Sequence, residues 1–324
     1  MRKVVASLAA ALAITAMALA ACGGGGAEPG ASDEATLILD FQPNAVHAGI
    51  YRALDAGYYD DAGVDLTVRA PSNSTDAPKL LAAGRADFAI LDIHDLGLAR
   101  ERGINIVGIG AIVGRPLAAV IARDREAVHT PRDLEGGSVG VTGLPSDDAV
   151  LNSVLTAGGA NPEAVKRVTI GFDAVATLAA GKLDAATAFW NAEGVALQRL
   201  GVPTRVFRVD DYGAPRYPEL VLTTSAETLR DNPDLVSAVQ DATAHGYADL
   251  DAHGDEALDA LLAANPDLDA GEQHAQFDAL TNADAFAGAG DLDHHVLADW
   301  AKWDLDNGIL QRPLDVDAAF PPVP

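Results

Sequence analysis

The stretch LAAGRAD at residues 81–87 returns as LAAGKLD at residues 178–184. Each copy has the pattern of a helix end, a glycine that stops the helix, a basic residue and an aspartate that leads into an apolar run. The match indicates one helix-to-strand unit that is used once in each of two lobes. The alternative is a chance match in an alanine-rich sequence, because glycine often follows a helix.

Outward from these two copies, short apolar runs alternate with amphipathic helical stretches from residue 36 onward. This alternation is typical of an α/β fold with parallel sheets. The predicted strands are residues 36–40, 64–68, 88–91, 106–112, 118–122, 138–141, 167–171, 185–189, 204–209 and 220–224.

The sequence changes in character after the last predicted strand. Residues 226–301 follow a helical period almost throughout, with Asn-Pro breaks at 232–233 and 265–266, and no strand is predicted there. Trp300 and Trp303 share one helix face, so we expect them to dock this helical region onto the core.

Length and charge exclude several classes of protein. The chain has 324 residues, a length that suits about two domains. Its 49% hydrophobic residues are enough for a buried core, so it is not a disordered acidic tail. With 47 acidic and 22 basic side chains the net charge is −25, and no basic stripe is available to neutralise nucleic-acid phosphates. We therefore expect no nucleic-acid partner.

Residues 1–21 have the pattern of an export signal, in which a basic pair precedes an apolar region. LAAC at residues 19–22 follows and resembles a bacterial lipobox, whose cysteine is acylated, so we expect a lipid anchor on Cys22. The alternative is an uncleaved transmembrane anchor. Residues 22–35 are then expected to form a flexible tether.

Motifs for catalysis are absent from the sequence. GGSVG at residues 136–140 has the Gly-x-Ser-x-Gly spacing, but its serine begins the predicted strand 138–141 instead of following a strand, so it is not a nucleophile elbow. There is no Walker loop, no Gly-x-Gly-x-x-Gly after the first strand and no His-Glu-x-x-His zinc helix. Polar and aromatic residues cluster instead where strands end, which is where open α/β sheets bind ligands.

The first such cluster follows the first predicted strand. Asp40, Phe41, Asn44 and His47 are candidates to face a cleft. The alternative is that Asn44 only caps a helix and that His47 only fills its first turn.

Two further clusters follow the strands at 88–91 and 138–141. Asp92 either accepts a hydrogen bond from a ligand or caps the next helix, and we expect Asp95 to be the cap. Ser146 or Asp147 is expected to cap a helix whose free N–H groups face a polar ligand.

The fourth cluster joins Trp190 to Asn191 and Glu193. An aromatic ring beside an amide and a carboxylate can stack on a flat ligand and accept from its amino group. The alternative is a core tryptophan with a capping asparagine. If the ligand stacks on Trp190, Trp190→Ala should weaken binding about tenfold.

These segments together resemble the type II periplasmic binding proteins, and more narrowly the branch that binds thiamine pyrimidine precursors and is related to the fungal pyrimidine synthase. The resemblance extends from about residue 36 to residue 307. The matching stretches are PNAVHAGIY at 43–51, GYYDDAGVDL at 57–66, AGRADFAI at 83–90, DLEGGSVG at 133–140, GLPSD at 143–147, FWNAE at 189–193 and YPEL at 217–220.

The resemblance implies an α/β fold of two lobes, with two crossover hinge segments and a helical C-terminal region. We place the crossovers near residues 122–126 and 217–222. Lobe 1 then comprises residues 36–122 and 222–324, and lobe 2 comprises residues 123–221.

The implied function is that of the solute-binding component of an ABC importer, which delivers a small planar nitrogenous solute, such as a thiamine pyrimidine precursor, to permease subunits. The resemblance further implies an exported monomer, lipid-anchored at the outer face of the cell membrane, that is not an enzyme and needs no cofactor or metal. The ligand-binding residues we predict are Asp40, Phe41, Asn44, His47, Asp92, Ser146, Trp190, Asn191, Glu193, Tyr217 and Glu219.

Two alternatives remain open at this point. A pyrimidine synthase of the fungal type carries a lysine, and a histidine four residues later, just after the strand at 88–91. This chain has Leu91 and Asp95 there, so no amine is placed to form a Schiff base with pyridoxal phosphate. The other alternative is a surface interaction protein that is not part of a transporter.

Overall fold

The computed structural model describes residues 33–71, 77–125, 128–143, 145–171 and 173–324. The chain from Ser32 to Pro324 forms one compact unit. Cys22 and the predicted export signal lie outside the described residues, so the lipid anchor stays a prediction. Within the described part, none of the helices combines the length and the apolar character needed to span a bilayer.

The described residues form ten strands in two sheets of five. The order is β2-β1-β3-β10-β4 in the first sheet and β7-β6-β8-β5-β9 in the second. The strands are β1 (Asp33–Ile38), β2 (Val64–Arg69), β3 (Phe88–Asp92), β4 (Ile106–Val113), β5 (Ala118–Arg123), β6 (Ser138–Val141), β7 (Lys166–Thr169), β8 (Ala185–Phe189), β9 (Thr204–Arg208) and β10 (Leu220–Ser225).

Each predicted strand forms, but the prediction of parallel sheets is wrong for one strand in each sheet. β10 runs antiparallel to β3 and β4, and β5 runs antiparallel to β8 and β9, whereas the pairs of β1 and β6 are parallel. An apolar run reveals a buried strand but carries no information on its direction. The start of β1 also includes residues 33–35, which the sequence placed in the tether.

The chain crosses between the two sheets twice. It passes from β4 to β5 through residues 114–117 and returns to β10 through residues 213–219. The first crossing lies before the predicted segment 122–126, because β5 forms hydrogen bonds with β8 and β9 of the second sheet. The predicted lobe boundary at 122/123 places β5 in lobe 1, whereas the structure places β5 in the second sheet.

The two copies of the repeated stretch form the same unit in the two sheets. Gly84 and Gly181 adopt left-handed backbone angles, with φ of 60° and 68°, and end the preceding helices. The aspartates that follow, Asp87 and Asp184, accept from the backbone N–H of the neighbouring strand at 2.9 Å and 2.8 Å. These equal contacts support the interpretation of one unit used twice.

Helices cover both sheets, and the C-terminal region is helical as predicted. The helices are α1 (Ala48–Asp55), α2 (Tyr58–Asp61), α3 (Ala77–Ala82), α4 (Ile93–Glu101), α5 (Pro145–Ala157), α6 (Ala174–Ala179), α7 (Glu193–Arg199), α8 (Ala226–Asp231), α9 (Pro233–Ala248), α10 (Leu250–Ala264), α11 (Ala270–Asn282), α12 (His294–Asp306) and α13 (Val316–Ala319). α9 packs on α1, α2 and the first sheet, so this region extends the first lobe. Trp300 of α12 is fully buried, which confirms its predicted docking role.

Candidate ligand-binding site

A cavity of about 180 Å³ opens between the two sheets, at the ends of their central strands. From the first sheet it is lined by residues that follow β1 and β3, and from the second by residues that follow β6 and β8. The polar and aromatic residues that line it are Asp40, Phe41, Asn44, Asp92, His94, Asp95, Thr142, Ser146, Asp147, Thr187, Phe189, Asn191, Glu193 and Glu219.

The loop after β1 holds its carboxylate through a histidine. The Asn44 side chain accepts from the backbone N–H of Val46 at 3.0 Å and caps the short 3-10 helix Ala45–His47. His47 Nδ1 accepts from the Asn44 N–H at 3.2 Å, so its Nε2–H is left to donate to Asp40 Oδ1 at 2.8 Å. His47 is fully buried and does not line the cavity; it positions Asp40 there.

Asp92, the last residue of β3, begins the next helix. Its carboxylate accepts from the His94 N–H at 2.7 Å, so Asp92 is the N-cap of α4 and the prediction that Asp95 caps this helix is wrong. The helix starts at Ile93, earlier than expected, because the capping carboxylate sits at the strand end itself. Asp95, in the first turn of α4, lines the cavity instead.

Glu219 lies on the second crossover and ties it to the first. Its Oε2 accepts from the backbone N–H groups of Leu117 at 2.5 Å and Ala118 at 3.1 Å, and its own N–H donates to the Val113 carbonyl at 3.1 Å. The residue is 1% exposed, and no N–H or hydroxyl group of the described residues donates to its second oxygen, Oε1. Asp92 lies within hydrogen-bond reach of the Glu219 side chain, so the two carboxyl groups can share a proton. Once Glu219 has lost its proton, Oε1 is a buried acceptor that a donating ligand can satisfy.

The carboxyl groups at this end of the cavity hold their protons unusually strongly. Burial, and after it the charge of Asp92, raise the pKa of Glu219 to about 8. The same two causes raise the pKa of Asp95 to about 7, and burial raises the pKa of Asp92 as well. Three neighbouring carboxyl groups repel one another when all are ionised. A ligand that brings positive charge or hydrogen-bond donors reduces this repulsion and is favoured.

His94 connects this cluster to the C-terminal helix α12. Its Nε2 lies 3.1 Å from the Tyr217 hydroxyl, and its Nδ1 lies 2.9 Å from Asp304 Oδ2. Burial lowers the pKa of His94, but the nearby charges of Asp304 and Asp92 outweigh that effect and raise it to about 10. The imidazolium is therefore paired with Asp304, which lies outside the cavity. Tyr217 is fully buried behind His94 and does not line the cavity.

The second sheet contributes an aromatic face and further acceptors. Glu193 Oε2 accepts from the Phe189 N–H at 3.0 Å, and Asn191 is 2% exposed with an unpaired Oδ1. α5 starts at Pro145, so Ser146 and Asp147 lie in its first turn and the prediction that one of them is the N-cap is wrong. Asp147 accepts from the Thr142 N–H at 2.6 Å across the turn before the helix. Burial raises the pKa values of Glu193 and Asp147.

The structure does not bring Trp190 to the cavity. Its backbone N–H donates to the Leu117 carbonyl at 3.0 Å, its indole N–H donates to the Pro116 carbonyl at 3.0 Å, and the Arg208 guanidinium lies 4.0 Å from its ring. β8 ends at Phe189, and in the turn that follows Trp190 points to the first crossover while Phe189 and Asn191 line the cavity. The buried ring packs against the first crossover.

Most of the predicted site residues converge on the cavity. Those that line it are Asp40, Phe41, Asn44, Asp92, Ser146, Asn191, Glu193 and Glu219. His47, Trp190 and Tyr217 do not line it. The sequence analysis missed His94, Asp95, Asp147 and Phe189 as cavity residues, although all four lie in the strand-end segments that it singled out.

The donor atoms of Asp92, His94 and Glu219 lie within 4.8 Å of one another, close enough to share a metal ion. Both ring nitrogens of His94 are already within hydrogen-bond distance of side chains, so the geometry fits a hydrogen-bonded cluster better than a metal centre. Among the described residues, no lysine or arginine lines the cavity. Pyridoxal phosphate therefore finds no amine to bind covalently, and the one imidazolium at the cavity, His94, is already paired with Asp304.

Comparison with known proteins agrees with this geometry. A family model described as NMT1/THI5 like matches residues 44–257. The formylaminopyrimidine-binding protein of Halalkalibacterium halodurans is 32% identical over 238 residues, which are 72% of each chain. The 4-amino-5-hydroxymethyl-2-methylpyrimidine phosphate synthase of Legionella pneumophila is 25% identical over 236 residues, 72% of this chain and 74% of that protein.

The periplasmic aliphatic sulphonate binding protein SsuA from Escherichia coli superposes with a TM-score of 0.71 at 14% identity, over 90% of this chain and 92% of the other. At that identity the likeness shows the fold alone, and it confirms the two-lobed α/β architecture of the type II periplasmic binding proteins. The family model spans more than half of the sequence, and a relative above 30% identity aligns over more than two thirds of it. The chain therefore belongs to the NMT1/THI5-like family.

Proposed function

We propose that this protein is the extracytoplasmic solute-binding component of an ABC importer and that it holds a small planar aminopyrimidine between its two sheets. The observation that carries the proposal is the buried, unpaired Oε1 of Glu219 at the cavity. Asn191 Oδ1 is a second unpaired buried acceptor on the opposite side. Acceptors on both sides call for a ligand with amino groups, and Phe41 and Phe189 add aromatic surface for a flat ring.

The relatives agree with this ligand class, since one is named for binding a formylaminopyrimidine and another for making a hydroxymethylpyrimidine phosphate. An anionic solute, such as the sulphonate of the E. coli neighbour, suits the cavity poorly. Six carboxyl groups line it and no described lysine or arginine does, and the one imidazolium there, His94, is already paired with Asp304, so an anion would enter without a free cationic partner.

Binding is expected to close the two lobes on each other. We propose that each lobe is built on one sheet, with the boundaries at the crossovers 114–117 and 213–219. A ligand that contacts Glu219 and Asn191 together gains both contacts only when the lobes approach. That differential affinity is what shifts the population to the closed form that a permease recognises.

Delivery to a permease requires the protein to be outside the cytoplasm. We propose that Cys22 carries the lipid that holds the otherwise acidic chain at the outer face of the cell membrane, and that the protein acts there as a monomer. Mass spectrometry of Cys22 in membrane extracts tests the anchor: an unmodified cysteine in the mature chain would rule it out.

The enzyme alternative is disfavoured by the cavity itself. Leu91 and Asp95 stand where the resemblance places the lysine and histidine of the synthases, and no described lysine lines the cavity. The cavity is suited to bind a solute non-covalently, and no described lysine is placed in it to form a Schiff base with an aldehyde cofactor.

Isothermal titration calorimetry of the full chain tests the proposal. The panel consists of 4-amino-5-hydroxymethyl-2-methylpyrimidine, its formylaminomethyl analogue, thiamine and an alkanesulfonate. We expect saturable, one-to-one heat with the aminopyrimidines and none with the sulfonate. Heat with the sulfonate alone would overturn the proposal, and so would steady product formation on addition of pyridoxal phosphate.

A further inference from the structure

The carboxyl groups of the cavity indicate the charge of the preferred ligand as well as the kind of ring. We infer that the preferred ligand is an organic cation, an aminopyrimidine whose ring substituent ends in a protonated amine, with that amine held by Asp92, Asp95 and Glu219. The inference rests on the proposed function, because it names which member of the aminopyrimidine class the site takes.

The carboxyl groups of the cavity fall into two sets. The larger set lies on the first-sheet side: Asp40 follows β1, Asp92 and Asp95 lie at and just after the end of β3, and Glu219 lies on the second crossover. The smaller set, on the second-sheet side, is Asp147 and Glu193. A neutral aminopyrimidine has one amino group to donate and leaves most of these acceptors without a partner. A second, charged nitrogen supplies three more N–H donors to the larger set.

Three of the four carboxyl groups of this set are anchored on one side. Glu219 spends Oε2 on two backbone N–H groups, Asp92 caps α4 with one oxygen, and Asp40 holds the His47 Nε2–H. The orientation of these three groups is thus fixed before a ligand arrives. Neighbouring carboxyl groups repel one another when they ionise, and an ammonium group relieves that repulsion, so a preorganised set of this kind recognises an ammonium group.

The positive charges near the set are already paired. His94 is the one described basic side chain at the cavity, and its imidazolium pairs with Asp304 behind it. Arg115 bonds to Asp210 and to the Ala283 carbonyl, and it does not line the cavity. The charge of His94 also acts on Asp92, Asp95 and Glu219, but a single imidazolium shared with Asp304 faces a set of four carboxyl groups and cannot balance all of them.

Calorimetry with three matched ligands tests the inference. The 5-aminomethyl, 5-hydroxymethyl and 5-formylaminomethyl forms of 4-amino-2-methylpyrimidine share the ring and differ in one terminal group, of which only the first is charged near pH 7.5. We expect the full chain to bind the aminomethyl form at least tenfold more tightly than either neutral form.

Two isosteric variants locate the effect. In Asp95→Asn, and separately in Asp92→Asn, which keeps a capping side chain for α4, we expect the preference for the aminomethyl form to fall to threefold or less. Asp259→Asn removes a charge from the exposed face of α10 and serves as the matched control, so it should retain the full preference. Circular dichroism melts verify that each variant folds.

The possible outcomes separate this inference from the proposed function. Tight binding of a neutral pyrimidine, with equal or weaker binding of the aminomethyl form, overturns the inference and leaves the proposed function in place. Failure of all three pyrimidines to bind overturns both. Stoichiometric binding of Zn²⁺ alone, lost in Asp92→Asn, would show a metal site at the cluster and also overturn the inference.

Discussion

The substitution Glu219→Gln tests the central feature of the site. Gln has the same shape, and its amide oxygen can accept from the Leu117 and Ala118 N–H groups as Oε2 of the glutamate does. Its NH2 group then points where the unpaired Oε1 stood, so a donor replaces the acceptor that faces the cavity. The ligand's amino group loses its partner there.

The expected loss follows from the kind of bond removed. A hydrogen bond to a charged acceptor contributes about 1.5–3 kcal/mol, which corresponds to an affinity about 10- to 100-fold weaker. Because burial and Asp92 raise the pKa of Glu219 to about 8, the carboxylate must first lose a proton below that pH. At pH 7 this step costs about 1.4 kcal/mol, so the wild-type protein should bind a neutral aminopyrimidine up to about tenfold more tightly at pH 9 than at pH 7.

Calorimetry with the neutral hydroxymethyl pyrimidine at pH 7, 8 and 9 measures both effects. Glu219→Gln should bind weakly at each pH and should lose the part of the pH dependence that Glu219 causes. Glu227→Gln, an exposed substitution on α8, is the matched control and should behave like the wild type. Unchanged affinity in a folded Glu219→Gln protein would refute the assignment of Oε1 to the ligand.

Three further predictions concern the surroundings of the site. The pKa of Glu219 is higher in the folded chain than its ordinary value of 4.5, so folding binds a proton and the free energy of unfolding should fall as the pH rises from about 4.5 to 8. Urea titrations at several pH values measure this fall, which should be smaller in Glu219→Gln. An equal fall in the two proteins would contradict the prediction. Trp190→Phe should lower the free energy of unfolding by about 1 kcal/mol, because the hydrogen bond to the Pro116 carbonyl is lost, and should leave the ligand affinity unchanged. A tenfold loss of affinity would show that Trp190 contacts the ligand. Asp304→Asn should lower the pKa of His94, because Asp304 contributes the largest of the nearby charges that raise it; an NMR titration of the imidazole measures this, and an unchanged value would refute the pairing.

The strands were predictable because their signal is local. Apolar runs of four to eight residues bounded by turns identified each strand of both sheets, and the repeated stretch identified the two equivalent units. The place of β5 in the second sheet was not predicted. It depends on long-range pairing, such as that of Ala118–Arg123 with β8 and β9, which no local pattern encodes.

The site was predictable to the level of segments but not of side-chain direction. The rule that ligands bind at strand ends placed Asp92 and Asn191 correctly at the cavity. Trp190 was predicted to stack on a ligand because of its large ring, but the turn after β8 directs the ring to the first crossover. Neither the direction of that turn nor the pairing of His94 with Asp304 on a distant helix has a local signal in the sequence.

The repeated unit explains why the two sides of the cavity differ in chemistry. The shared aspartates, Asp87 and Asp184, lie before β3 and β8 and join each strand to its neighbour, so they build both lobes alike. At the far ends of the same strands the copies diverge, since β3 ends in Asp92 and β8 ends in Phe189. At these two strand ends one lobe therefore offers charge and the other a ring face. A ligand with an amino edge and a flat face contacts both strand ends at once, and one that lacks either feature loses one of these contacts and gains less from closure.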